Sequence, residues 1–198
     1  MAYLCKDKIE NGMQGLMYRK FSNANGSFLG WTDFSKEMNG LGFCQLVTGE
    51  KYAGNWANNK YAGQGKLTFA NGDEYTGSFV EGRRDGFGRY QKGESYYEGE
   101  WKKDRWHGKG KLYENGTLYE GEWKNGDLKT GTATYSNGDR YTGSLKKITD
   151  KKTGNVQRLP DGNGIMIKSD GIKFDGLWKN GEPVPEKIKV EKPNTIGK

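Results

Sequence analysis

A chain of 198 residues with 32 Gly, 12 Tyr, 8 Phe and 6 Trp but only 32% hydrophobic residues is too lean for a thick closed core and too rich in rings for a disordered segment. Four prolines without a G-X-Y triplet exclude collagen, and two cysteines, Cys5 and Cys44, are too few for a disulfide framework. The formal net charge of +7 matters less for its size than for where it falls along the chain.

Residues 1–25 have no apolar core of a secretory signal, and no stretch of the chain approaches 18 apolar residues. The expectation is a cytoplasmic chain with two free thiols. This first segment is read as a cap or an eroded half-repeat, with "AYLCKDKI" pairing at one end and Gly12 to Tyr18 as the half-copy.

From residue 26 to 182 one phrase recurs. It reads Tyr52-Gly54-Trp56, Tyr75-Gly77-Phe79, Tyr97-Gly99-Trp101, Tyr119-Gly121-Trp123, Tyr141-Gly143-Leu145 and Phe174-Gly176-Trp178, with the tyrosines 22 or 23 residues apart. A second phrase follows the first three: Gly63-Gln64-Gly65, Gly86-Phe87-Gly88 and Gly108-Lys109-Gly110. It decays at Lys129 and returns as Gly162-Asn163-Gly164, while "NGSFLGWT" with Gly40-Leu41-Gly42 is a degenerate earlier copy.

In an extended segment Tyr97, Gly99 and Trp101 share a face while Glu98 and Glu100 point the other way, and no period of 3.6 survives two Gly per unit. The turn strings "ANGD", "ENGT" and "SNGD" supply positions for φ > 0. Each unit is therefore a β-hairpin. Glycine, a poor strand former, has a use here: it bares backbone over which a ring from the neighbouring strand can lie. Serial hairpins predict an all-β fold, an elongated, twisted single-layer antiparallel meander of about seven repeats with one aromatic and glycine face.

Between Leu145 and Gly164 the spacing grows by 11 residues, an insertion near 146–160 expected to project as a longer hairpin arm. The last segment, 183–198, is a charged tail in which "KIKVE" alternates well enough to add a capping strand. Terminal strands with unpaired backbone also offer a surface on which two copies can pair as a homodimer.

The quoted pattern Y-E-G-E-W-K-x-G, with G-x-G and the N-G turn, resembles the MORN repeat. The resemblance implies a curved single-layer sheet that scaffolds, binds peptides or associates with membranes, without catalysis in the repeats and without one fixed partner. It departs from the pattern at Leu145 and Lys129.

The chemistry expected of the residues agrees with a binding role. His107 is the only histidine, no cysteine pair accompanies it, and the glycine strings open no helix. No catalytic, cofactor or metal residues are assigned, no cofactor is expected, and glutamates such as Glu98 and Glu120 are read as solvated ion-pair partners.

The expected partner-binding groove is the ring face, comprising Tyr52, Trp56, Tyr75, Phe79, Tyr97, Trp101, Tyr119, Trp123, Tyr141, Phe174 and Trp178. It would take a helix or extended peptide of a partner protein. The same rings packed into a thin core are the competing reading. The alternative function is contact with anionic phospholipid through basic loops, using Arg83, Arg84, Lys102, Lys103, Arg105, Lys146, Lys147, Lys151 and Lys152. Nucleic acid is not expected as a partner, since no binding module accompanies the charge. The setting expected is cytoplasmic, at a membrane or cytoskeletal structure.

Overall fold

The structure, a computed structural model, describes residues 17–33 and 36–193. The described residues form 15 strands and no helix, and every neighbouring pair of strands recorded is antiparallel and consecutive in the chain. They fall into two compact units, the described residues up to Asp104 with β1 (Met17–Asn23) to β8 (Ser95–Lys102), and those from Arg105 onward with β9 (Arg105–Glu114) to β15 (Glu182–Glu191). Cys5 and the expected N-terminal pairing segment lie outside the described residues.

Within the first unit β2 (Gly26–Thr32), β3 (Met38–Leu46), β4 (Lys51–Ala57), β5 (Lys60–Thr68), β6 (Glu74–Val80) and β7 (Arg83–Lys92) follow one another. A glycine ladder runs across them: Gly30 opposite Gly42, Gly42 opposite Gly54, Gly54 opposite Gly65, Gly65 opposite Gly77, Gly77 opposite Gly88 and Gly88 opposite Gly99. In the second unit β10 (Thr117–Lys124), β11 (Asp127–Thr134), β12 (Arg140–Thr149), β13 (Val156–Ile167) and β14 (Lys173–Lys179) continue the pattern, with Gly110, Gly121, Gly131 and Gly143 in successive register.

The ladder is where the rings lie. A methyl group placed at Gly65 would stand 2.4 Å from Tyr52 Oη, and one at Gly88 or Gly164 would stand 2.2 Å from the hydroxyl of Tyr75 or Tyr141. No side chain fits there, so each tyrosine covers bare backbone of the strand after its own.

Two kinds of turn alternate. Tight turns with two left-handed residues close one end, as at Asn125-Gly126 (φ 53° and 88°) and, without glycine, at Lys103-Asp104 (φ 49° and 67°). The "NGD" turns are wider. There only the glycine is left-handed, while Asn71 Oδ1 accepts from Asp73 N–H and Asn137 Oδ1 accepts from Asp139 N–H.

The outer face carries the cross-strand ion pairs expected of the glutamates: Arg89 with Glu98 at 2.9 Å and Lys111 with Glu120 at 2.8 Å. On β2 and β3 that face is apolar instead, with Leu29, Leu41 and Phe43 exposed.

The insertion does form a longer hairpin, with β12 and β13 paired out to Thr149 opposite Val156. It is not an arm standing clear of the fold, however. Arg158, on its returning strand, is 3% exposed and has entered the core of the second unit. At the C-terminus β15 pairs along β14, with Val190 opposite Phe174.

Candidate functional site

Each strand of the Tyr-x-Gly-x-Trp type delivers two rings to the inner face two pleats apart on either side of a ladder glycine. Ten of the eleven groove residues named from the sequence are buried there: Tyr52, Trp56, Tyr75, Phe79, Tyr97, Trp101, Tyr119, Trp123, Tyr141 and Trp178. Phe174 is half-buried. They bury one another by edge-to-face contacts, such as Tyr52 on Trp56 with centroids 5.2 Å apart, Tyr75 on Trp101 at 5.2 Å and Tyr141 on Trp178 at 5.6 Å.

The polar ends of the rings are satisfied by a rule that repeats with the sequence. Four of the five tyrosine hydroxyls donate to the carbonyl three residues on: Tyr52 to Asn55, Tyr75 to Ser78, Tyr97 to Glu100 and Tyr141 to Ser144, at 2.8 to 3.0 Å. Burial pushes the hydroxyls of Tyr52 and Tyr141 up to about 12, so these groups remain donors. Each indole donates to a ladder glycine of the strand before: Trp101 Nε1 to Gly88 O, Trp123 Nε1 to Gly110 O and Trp178 Nε1 to Gly164 O, all at 3.0 Å.

Trp56 breaks the rule. It is 6% exposed, and its indole N–H has no hydrogen-bond partner.

Beside Trp56 lies a cavity of about 390 Å³ on the inner face of the first unit. Its walls include Phe21, Phe28, Met38, Leu46, Trp56 and Tyr61, with Asn25, Asn59 and Lys60 among its polar groups. Tyr61 stacks on Tyr52 with centroids 3.8 Å apart, and its hydroxyl lies 3.9 Å from the buried Cys44 thiol, whose pKa burial pushes up. Asn59 Oδ1 already accepts from Met38 N–H, and Lys60 is paired with Glu81.

Elsewhere on the ring face an arginine sits among the rings. Arg84 lies 4.3 Å from the Trp101 ring centre and 5.7 Å from those of Tyr75 and Tyr90, while its Nε donates to Asp104 Oδ1 at 3.0 Å. In the second unit Arg158 lies 5.4 Å from Trp123 and 5.5 Å from Tyr119, with Nη1 donating to Glu114 at 2.7 Å. Its own carbonyl accepts from Tyr119 Oη at 3.4 Å.

Arg84 thus belongs to the ring cluster, whereas the sequence placed it among basic loops facing lipid. Of that set Arg83, Lys102, Lys103, Arg105, Lys147, Lys151 and Lys152 are exposed. Lys146 is exposed too, and donates to Asn180 Oδ1 at 3.2 Å. Sequence reasoning did not single out Arg158, Tyr61, Asp104 or Glu114. The only signal was spacing, since Tyr61 and Arg84 both stand opposite the ring of the previous strand, facing Trp56 and Phe79.

Among the described residues no group of three or more His, Cys, Asp or Glu is placed to hold a metal, and no helix is long and apolar enough to cross a membrane. His107 is half-buried on β9.

The glycine ladder, the ring-over-glycine packing and the serial hairpins define a β-hairpin repeat array. The family profile described as MORN repeat matches residues 52–74, 75–93, 97–118 and 119–127, so residues 52–127 are tandem MORN repeats. No curated protein sequence matches the chain. Among solved structures, the SAS-4 (dCPAP) TCP domain of Drosophila melanogaster, determined in complex with a proline-rich motif of Ana2 (dSTIL), is similar at 13% identity. That match covers 97% of this chain and 98% of that one, with a TM-score of 0.43, too low to carry a conclusion.

Proposed function

We propose that the chain is a non-enzymatic scaffold that binds a segment of a partner protein, as a helix or an extended peptide, on the inner face of its sheet. The observation that supports this most is the cavity at Trp56. It is concave, walled mainly by rings and apolar side chains, and within the roughly 300 to 1,000 Å³ typical of ligand sites. Catalysis finds no comparable support: on the ring face burial holds the protons of Tyr52 and of the Cys44 thiol in place, and Arg84 and Arg158 are engaged by carboxylates.

Trp101 and Trp123 are unsuitable for testing the reading, because both are core rings whose loss would cost stability before it touched a partner. The rim offers a cleaner test. Met38 is half-buried at the cavity wall, and Thr76 is exposed on the outer face. Capture from native extract with the full chain should lose its partner proteins on Met38→Glu and keep them on Thr76→Glu. Equal capture by the two variants would put the binding surface elsewhere.

A further inference from the structure

The outer face changes character at the first four strands. On later strands it carries ion pairs, such as Lys66 with Glu74 at 2.8 Å and Arg89 with Glu98 at 2.9 Å, whereas β1 to β4 contain no Asp or Glu at all. Their outer side chains include Tyr18, Leu29, Trp31, Leu41 and Phe43, with Tyr18 opposite Trp31 and Leu29 opposite Phe43. Four of these five are 38 to 55% exposed. A contiguous apolar surface of this kind marks a contact site.

Two lysines border the patch. Lys20 stands opposite Leu29 on β1, and Lys51 lies on β4 two positions from Ala53, the partner of Phe43. Both are exposed, and among the described residues neither is paired with a carboxylate. The patch therefore has a positive rim with no counter-charge of its own.

The geometry narrows what can lie there. The backbone groups of β2 and β3 are engaged by strands on either side, so the face offers side chains only. An extended peptide laid across it would bring its own unpaired N–H and C=O groups over apolar side chains, which is costly. A helix keeps its backbone bonds within itself. Four strands span about 14 Å, enough to seat one helix of about 10 to 12 Å. Lipid fits less well, because Tyr18 and Trp31 pack edge to face at 5.5 Å and Leu41, the most exposed of the five, is 55% exposed. These side chains form a flat layer, with no tips standing clear to enter a bilayer.

We propose that the outer face of β1 to β4 docks an amphipathic helix of a partner protein, its apolar side on Leu29, Leu41 and Phe43 and its border carboxylates on Lys20 and Lys51. This surface lies on the side of the sheet opposite the Trp56 cavity, so it stands or falls apart from the inner-face reading.

The test is a titration of the full-length, nitrogen-15-labelled chain at low salt. The probe is a 14-residue acetylated and amidated helical peptide with leucine on one face, glutamate along both borders and alanine elsewhere. Its twin carries lysine at each glutamate. The glutamate peptide should shift the signals of Leu29, Leu41 and Phe43 saturably and bind about three- to tenfold tighter than the lysine twin. Lys20→Glu combined with Lys51→Glu should reverse that preference. Phe43→Gln, an exposed outer-face change, should weaken both peptides about tenfold and leave signals on the inner face in place.

Equal binding of the two peptides, an unreversed preference, or shifts confined to the inner face at Phe28 and Leu46 each overturn the proposal. Vesicles containing phosphatidylserine that shift the same signals where the peptides do not would make the patch a lipid surface and overturn the helix. Proximity signals from Phe43 to residues 1–16 in the free chain would mean that the chain covers its own patch, and would overturn the partner.

Discussion

The rings around Trp101 and those around Trp56 stand at matching places two hairpins apart, yet one cluster is closed and the other is not. At Trp101 the indole is bonded to Gly88 O, and the guanidinium of Arg84 lies over the ring, held by Asp104. At Trp56 the residue in the place of Arg84, two hairpins earlier, is Met38, which brings no guanidinium over the ring, and a cavity lies there beside an indole N–H that has no partner. The same hairpin grammar therefore yields a closed cluster or a cavity according to which residue the preceding strand carries two positions before the partner of the second ring. A long cation held by a carboxylate closes the cluster; a methionine in its place leaves it open.

The second unit takes the closed version furthest, because Arg158 is almost wholly buried and Glu114 is its one carboxylate partner among the recorded contacts. Removing that partner leaves an uncompensated charge in the core. Glu114→Ala should cost about 3 kcal/mol or more in a denaturant melt, within the range for broken buried ion pairs. Asp104→Ala beside the more exposed Arg84 should cost no more than about 1 kcal/mol. Equal losses would mean that the two arginines do the same structural job, and the graded comparison would fall.

The next effect concerns the ladder common to both regions. Valine is normally a better strand residue than glycine, but its side chain at Gly88 would meet the Tyr75 ring. Gly88→Val should therefore destabilise the fold by about 1 to 3 kcal/mol, as overpacking does. Thr76→Val on the outer face should change stability by no more than about 0.5 kcal/mol. A neutral Gly88→Val would show that the rings do not need the bare backbone.

How far the sequence foretold this follows from the range of each interaction. The ladder could be read because its causes are local: a glycine, a tyrosine and a tryptophan at alternate positions, repeated every 22 or 23 residues, state both the face and the reason for the glycine. The hairpin of the insertion could be read for the same reason, from "KTGN" and its flanks. Its fate could not, since Arg158 meets Glu114 across 44 residues and nothing in either neighbourhood announces the other.

Arg84 was misplaced for a related reason. A doublet of arginines after a turn looks like a solvated loop until the strand's pleat sends Arg83 outward and Arg84 over a ring. The groove residues were correctly assigned to one face, but alternation gives direction and not depth. Whether a ring is wall or core depends on its neighbours across two strands, and the cavity is what remains where those neighbours fall short.

The most direct measurement of that difference is hydrogen exchange of the indole N–H groups in the full-length, unliganded chain. Trp101, Trp123 and Trp178, each bonded to a ladder carbonyl, should exchange slowly, and Trp56, bonded to none and bordering the cavity, should exchange fastest of the four. Protection of Trp56 equal to that of Trp101 would mean that its donor is already satisfied, and that this end of the ring face is closed like the rest.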